Sequence, residues 1–383
     1  LNLPLCLDGR MLKPGGTGIS SYARLLSNAQ ATLTDASFIL MASRARIPKL
    51  LAAASLLPAK TSAALPPAGA SPGTLLSPDI FRRAYVHFSL YGRLMPLMPP
   101  FARGVMHWTY PVPMTMVGWA NVYSVHDAIP LSSPHLTGIS ATRLRRTLTA
   151  IAKVADRIVT ISESARADIL AQKIFPPASV IDCGIPVELP DRTEGEGRLP
   201  DGLHEKGYFF FFGSIEPRKN IARLLQAYRA SGTAMPLVIA GPDGWNSAAI
   251  LREIARTHKV IRLPYQSADT IALLMTKARA VLFPSLAEGF GLPVVEAMAR
   301  GTPVLTSSIP ALIETAGGAA LLVDPLDATA IANGITRLAT DDALVERLIR
   351  SGTNRVLDFP PTLFTRRIAD VYRAIVAERG WSP

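Results

Sequence analysis

The sequence predicts an α/β protein of two Rossmann-like, doubly wound domains facing each other across a cleft. Three observations predict it. Short, fully apolar segments alternate with amphipathic ones through the second half, the pattern of buried parallel strands joined by crossover helices. The same alternation recurs less cleanly in the first half. And 383 residues, 49% of them apolar, suffice for two hydrophobic cores.

The elements follow in order. Leu3 to Leu7 is an apolar strand and Ile19 to Ala29 a helix. Residues 44 to 103 read as irregular, with prolines, aromatics and scattered arginines. Val122 to Val125 is a strand ending at His126-Asp127, Ala141 to Ala155 a helix, and Arg157 to Ile161 a strand that Ser162 caps onward. In the second half the strands are Tyr208 to Phe212, Leu237 to Ala240, Val260 to Leu263, Ala280 to Phe283, Pro303 to Thr306 and Leu321 to Val323. Ile221, Leu224, Leu225 and Tyr228 recur at helical spacing behind a cap at Asn220. Further helices span Ala248 to Thr257, Ser267 to Ala278 and Leu292 to Arg300, the last ended by Gly301. Two helices follow the last strand, the final one about Thr362 to Arg379. The domains are predicted as 1–190, a polar linker 191–206, a second domain 207–360, and a C-terminal helix 361–383 packing back on the first domain.

Composition narrows the function classes. Cys6 and Cys183 have no partner at metal-ligand spacing, which predicts a reduced, cytosolic protein without structural zinc. The long, charge-poor stretches Thr61 to Phe81 (Asp79 its one charged residue) and Gly104 to His126 carry too many Pro and Gly residues for membrane-spanning helices. The chain opens on Leu1 rather than Met, which leaves room for a removed leader; no stretch present has the pattern of a signal peptide. The net charge of +11 is uneven, because residues 1–190 hold 18 Lys/Arg against 9 Asp/Glu, an excess of +9. Such a half suits an anionic partner (a phospholipid surface, a lipid diphosphate or nucleic acid) or simply a set of soluble, Arg-rich helices.

Four motifs fall at predicted strand ends, where open α/β sheets bind ligands. Lys13-Pro-Gly15-Gly16-Thr-Gly18 joins the first strand to the first helix; its glycines let backbone amides approach an oxyanion, although an ordinary turn reads the same. His126 can donate to a sugar hydroxyl or a developing charge, with Asp127 to orient it. In Gly213-Ser214-Ile-Glu216-Pro-Arg218-Lys219-Asn220, two cations stand at a helix start, where the helix dipole prefers anions. That local cost points to a diphosphate cradle. The fourth is Glu288-Gly289-Phe290-Gly291-Leu292-Pro-Val-Val-Glu296. The loop residue Glu288 can reach a polyhydroxyl ligand, and Glu296 sits in the first turn of the following helix.

Together these residues resemble the retaining glycosyltransferases of family 4, whose fold is GT-B. Glu288 to Glu296 is similar to that family's EX7E motif. Gly15, Gly16 and Gly18 are similar to its N-terminal phosphate loop, Val125-His126-Asp127 to its catalytic strand end, and Val159-Thr-Ile-Ser162-Glu163-Ser164 to the junction after it. Ile215 to Asn220 resembles the diphosphate loop of a bacterial subgroup of exopolysaccharide and O-antigen mannosyltransferases. The resemblance implies a hexosyltransferase taking mannose from GDP-mannose, or another hexose as in UDP-glucose, to a lipid-linked oligosaccharide.

It implies roles as well. Glu288 accepts from hydroxyls of the donor sugar, Glu296 binds the ribose, and His126 contacts the sugar near the reacting carbon. Arg218 and Lys219 neutralise the diphosphate with the amides of Gly15 and Gly16. Ser214, Gly289, Phe290, Gly291 and Leu292 complete the donor loops. Ser214 stands where many members carry Arg, which leaves Arg218 as the substitute. No Asp-x-Asp pair is present, so a metal-free scheme with no cofactor is expected. Same-face attack, with the departing phosphate helping to deprotonate the acceptor, is favoured over a covalent intermediate. Arg82, Arg83, Tyr85, Phe88, Tyr91, Arg93 and Phe101 suggest peripheral contact with an anionic membrane at the inner face of the cell membrane, or a local core with solvated arginines. No nucleic-acid partner is expected. Rival readings are a nucleotide-sugar epimerase and a non-catalytic two-domain ligand binder.

Overall fold

The structure is a computed structural model that describes residues 1–12, 18–43, 59–64, 73–188 and 197–381. Gly15 and Gly16 lie outside the described residues, as do residues 191–196 of the expected linker. The chain forms two compact units. One comprises Leu1–Ser132, Ser140–Pro186 and Pro361–Pro383; the other comprises Ser133–Ile139 and Val187–Pro360. The short segment Ser133–Ile139, read from the sequence as part of the first domain, thus packs in the second unit.

In the first unit the strands are β1 (Leu5–Asp8), β2 (Ser37–Ser43), β3 (Ala59–Lys60), β4 (Ser62–Ala64), β5 (Gly73–Pro78), β6 (Met95–Met98), β7 (Val105–Trp108), β8 (Met114–Met116), β9 (Ala120–Ser124), β10 (Arg157–Thr160) and β11 (Val180–Asp182). Among the described residues the main sheet runs β11-β10-β9-β7-β1-β2-β5-β4, and β3-β6-β8 form a small second sheet. Among the described residues only β4 pairs antiparallel, on the edge beside β5. The central strands β1, β7 and β9 are buried along their whole length. That explains their continuous apolar runs: a parallel strand covered on both faces has no solvent side to alternate with.

Within the segment read as irregular, the described residues form strands β3 to β6 and a helix. Ile80–Tyr91 is a helix that buries Ile80, Ala84 and Phe88, a four-residue spacing that turns one stripe to the core. Arg83 and His87 lie on that buried face too, and with Arg82 they hid the stripe in the sequence. Of the residues read as a membrane patch, Phe88 and Arg83 are buried, and Phe101 packs against Phe38 and Trp119. Arg82, Tyr91 and Arg93 remain exposed.

In the second unit the strands are β12 (Phe209–Phe212), β13 (Leu237–Ala240), β14 (Val260–Leu263), β15 (Ala280–Phe283), β16 (Val304–Ser307) and β17 (Leu321–Val323). Their order is β14-β13-β12-β15-β16-β17, and every pair is parallel. The order reverses direction between β12 and β15, so the connections leaving those two strands diverge and open a crevice at their carboxyl ends. Phe211 of β12 stacks on Phe283 of β15 with centroids 6.2 Å apart, and each such buried ring contributes roughly 2 kcal/mol of transfer free energy.

Three helices follow β17 by way of Asp-capped starts and a Pro-led turn, where two were expected: Ala328–Thr340, Asp342–Val356 and Pro361–Glu378. Asp327 and Asp341 accept from the amides of Ala330 and Leu344 and restart the chain twice. Among the described residues no helix is long and apolar enough to cross a membrane. Cys6 and Cys183 are both buried and unpaired.

Candidate donor-binding site

The second unit brings two loops together because β12 and β15 are neighbours. Glu288, in the loop after β15, reaches both cations of the loop after β12. Lys219 Nζ donates to Glu288 Oε1 at 2.7 Å, and Arg218 Nη1 donates to Oε2 at 2.8 Å. Arg218 Nη1 also donates to the carbonyl of Ala287 at 2.9 Å, and its Nη2 to Glu216 Oε1 at 2.8 Å. The backbone joins in: Leu286 N donates to Arg218 O at 2.8 Å. Lys219 further lies 4.5 Å from the centre of the Phe283 ring, a cation–π contact that compensates part of its lost hydration.

This geometry revises the expected division of labour. Two cations and two carboxylates cancel, so the cradle carries oriented donors rather than excess positive charge. Glu288 also bridges the two cations. Its carboxylate has about four lone-pair sites, and the two cations take one on each oxygen, which leaves capacity on both. Burial alone would raise the Glu288 pKa; Lys219 and Arg218 outweigh it and bring it down to about 2. Lys219 is held below the usual lysine range by burial and by Arg218, with Glu288 opposing.

Asn220 was expected to cap the next helix with its side chain. It sits at the cap position with φ 59°, but its side chain makes no cap bond. The amide instead donates to the carbonyls of Pro284 and Pro325, at 2.9 and 2.7 Å. It therefore fastens the cation loop to the β15 loop and to the turn after β17, a tertiary role that displaces the local one.

The remaining donor-loop residues divide into frame and face. Gly291 has φ 97°, and a Cβ there would meet Leu312 Cδ2 at 2.3 Å, so glycine is required for the loop to enter the helix Leu292–Ala299. Gly241 and Gly213 pack backbone on backbone, since a Cβ on Gly241 would lie 2.0 Å from Gly213 O. Phe290 is buried against Phe359, edge to face at 5.4 Å; its ring anchors the loop instead of lining it. Ser214 is half-buried beside the cations. Glu296 is half-buried, and burial raises its pKa with the charge of Arg300 opposing.

In the first unit His126 follows β9. Its Nε2 lies 2.7 Å from the carbonyl of Thr109. A carbonyl only accepts, so Nε2 carries the hydrogen and Nδ1 presents a lone pair. Burial lowers its pKa to about 4, with the Thr109 carbonyl opposing, so at neutral pH the ring is neutral and offers a lone pair at Nδ1. Asp127 Oδ1 accepts from Ile129 N at 3.0 Å, turning the chain after the strand. Gly18 begins the helix Gly18–Leu33.

Sequence reasoning passed over the support behind His126. Tyr22 meets the imidazole edge to face at 4.7 Å and shares a hydrogen bond with Ser124 Oγ at 2.9 Å. His107 bridges Ser124 Oγ and the Tyr372 hydroxyl, at 2.9 and 2.7 Å, and Gln30 donates to Tyr372. Asp8, at the end of β1, accepts from Thr109 Oγ1 at 2.8 Å and holds the residue that His126 bonds. The available signal was polar residues within otherwise apolar strands: Asp8, His107 and Ser124 interrupt such runs, and buried polar groups need partners.

Residues 201–355 match the family Glycosyl transferases group 1. The chain is 31% identical over 228 residues to O-antigen chain mannosyltransferase B of Escherichia coli, covering 58% of this chain and 55% of that protein. It is 29% identical over 230 residues to the serotype-specific mannosyltransferase WbdA of Escherichia coli, covering 53% of this chain and 28% of that one. The chain thus spans about half or less of the length of these relatives. Sucrose-phosphate synthase from Thermosynechococcus elongatus superposes with a TM-score of 0.71 at 19% identity, over 98% of this chain and 100% of that one. Anabaena HepE in complex with UDP and glucose does so with 0.70 at 15% identity, over 97% and 100%. The fold is therefore that of the GT-B glycosyltransferases, and residues 201–355 are the stretch that matches the glycosyltransferase group 1 family.

Proposed function

We propose that the chain is a retaining hexosyltransferase that moves mannose from GDP-mannose to a polyprenyl-diphosphate-linked oligosaccharide in bacterial surface or exopolysaccharide synthesis. It would act in the cytoplasm, in peripheral contact with the inner face of the cell membrane. The group 1 domain and the mannosyltransferase relatives support this reading. The observation that carries it is the buried cluster of Arg218, Lys219 and Glu288 at the point where the strand order reverses.

Transfer breaks the bond between the sugar's anomeric carbon and the β-phosphate oxygen, and the electron pair leaves with the phosphate. Lys219 and Arg218 are already oriented by Glu288, so they stabilise that charge with little reorganisation. The acceptor hydroxyl attacks from the same face and its proton passes to the departing phosphate oxygen, which preserves configuration. Glu288 accepts from the sugar's hydroxyls with its unspent lone pairs, while Glu296 accepts from the ribose. The scheme uses no cofactor and routes no step through a metal.

Radiolabelled GDP-mannose and UDP-glucose, each incubated with the protein and a membrane extract, test the reading. Label from GDP-mannose is expected in the lipid phase, and Lys219→Ala should abolish the transfer. Entry from UDP-glucose alone overturns the donor assignment. Label that stays soluble and unchanged with every donor overturns the enzyme.

A further inference from the structure

Outside the donor site, the first unit holds a cavity of about 530 Å³ lined by Arg10, Phe81, Arg82, Tyr85, Val86, Ser89 and Leu90. Arg10 follows β1 and is half-buried. Its guanidinium donates to the Tyr110 hydroxyl at 2.5 Å. It lies 5.3, 5.4 and 5.9 Å from the ring centres of Tyr85, Tyr110 and Phe81. Three rings and a neutral hydroxyl fix the direction of the cation without neutralising it.

No carboxylate among the described residues pairs with Arg10. Asp8, two residues away, directs its Oδ2 to the backbone and hydroxyl of Thr109. Arg82, the other cation of the lining, is paired with Asp79. The cavity therefore presents a guanidinium that no carboxylate among the described residues hydrogen-bonds, although the charge of Asp8 acts on it through space; one of its five donors goes to Tyr110 and others stay available, at the end of a wall formed by Phe81, Val86 and Leu90. Leu90 is 57% exposed, so the apolar wall runs out to solvent. A cation at one end and an open apolar wall at the other match an amphiphile with an anionic head. The charge excess of this half, +9 over residues 1–190, favours the same kind of ligand.

We infer that this cavity binds the phosphate–alkyl junction of a prenyl diphosphate, with Arg10 on a phosphate and the first isoprene units along Phe81, Val86 and Leu90. The inference rests on the proposed lipid-linked acceptor and assigns it a place. It makes Arg10 an acceptor-binding residue with no part in holding the donor.

Calorimetric titration of the whole chain tests it with three soluble probes: farnesyl diphosphate, farnesol and inorganic pyrophosphate. Farnesyl diphosphate should bind more tightly than either fragment. Arg10→Ala should weaken it by about 10- to 100-fold, the loss of one charged hydrogen-bonding partner. Leu90→Ser changes an exposed side chain and should weaken farnesyl diphosphate while leaving pyrophosphate unchanged. GDP-mannose affinity should be the same in all three proteins, which also shows that the variants fold. Unaltered farnesyl diphosphate affinity in Arg10→Ala, or pyrophosphate binding as tightly as the prenyl ester, overturns the site and leaves the transferase reading standing. Loss of nucleotide-sugar binding and transfer in the unmodified chain overturns that reading instead, whatever the titration gives.

Discussion

Replacing Glu288 with Gln removes one charge and almost no volume from the cluster that joins the two donor loops. Glu288 is 9% exposed, and its cationic partners Lys219 and Arg218 are 9% and 20% exposed. The lost carboxylate leaves two cations in a largely dry site, where breaking such a pair costs about 3–5 kcal/mol. The pH dependence gives an independent figure. The Glu288 pKa falls from 4.5 to about 2 on folding, which corresponds to roughly 3 kcal/mol of stabilisation at neutral pH. Because the folded pKa is the lower one, that stabilisation is present above pH 4.5 and is lost as pH falls toward 2. Between pH 6 and pH 3 it should shrink by about 2 kcal/mol. Urea unfolding of wild type and Glu288→Gln across this range reads the difference directly. The gap in unfolding free energy should narrow by that amount on acidification. A gap that does not change with pH would refute the pairing, and with it the argument that Glu288 holds the cations in place.

Lys219→Ala should reduce turnover by more than about 100-fold, the scale of losing one preorganised donor at a developing oxyanion. Because Lys219 is buried on Glu288, the same variant should also lose about 2–3 kcal/mol in urea unfolding, so parallel donor-binding measurements are needed to separate the two effects. Gly291→Ala should cost at least about 2 kcal/mol in the same assay, from a left-handed backbone together with the contact on Leu312; an unchanged midpoint would show that the loop relaxes. His126 should titrate near pH 4 by NMR, with its hydrogen on Nε2, and the pH–rate profile should show no inflection from it near pH 6.5. A midpoint close to 6.5 would contradict the burial that defines its role.

Much of the second unit was legible because a parallel strand buried on both faces must be apolar throughout. Phe209–Phe212, Leu237–Ala240 and Ala280–Phe283 announce themselves that way. The first unit was harder to read, since the helix Ile80–Tyr91 carries its core stripe among arginines and a histidine. Ser162 and Ser267 were recognisable as caps because the bond that makes a cap is local, three residues away. Asn220 has the same chemistry and holds the cap position as expected, but where its side chain goes was not legible, because its partners Pro284 and Pro325 lie 64 and 105 residues off.

The candidate site divides along the same line. The sequence by itself determined which groups the donor loops contain: Arg218 and Lys219 after one strand, Glu288, Gly291 and Glu296 after another, each at a strand's carboxyl end. It did not determine that Glu288 would meet both cations. That follows from the strand order, which sets β12 beside β15 although β13 and β14 lie between them in the chain and 67 residues separate Phe212 from Ala280. Adjacency in a parallel sheet is a property of how the crossover helices pack, so no spacing in the chain encodes it. The same holds for Arg10, whose three aromatic neighbours come from the helix Ile80–Tyr91 and the loop after β7. Sequence supplies the chemistry of a charge; the tertiary structure decides whether that charge is neutralised or left for a ligand.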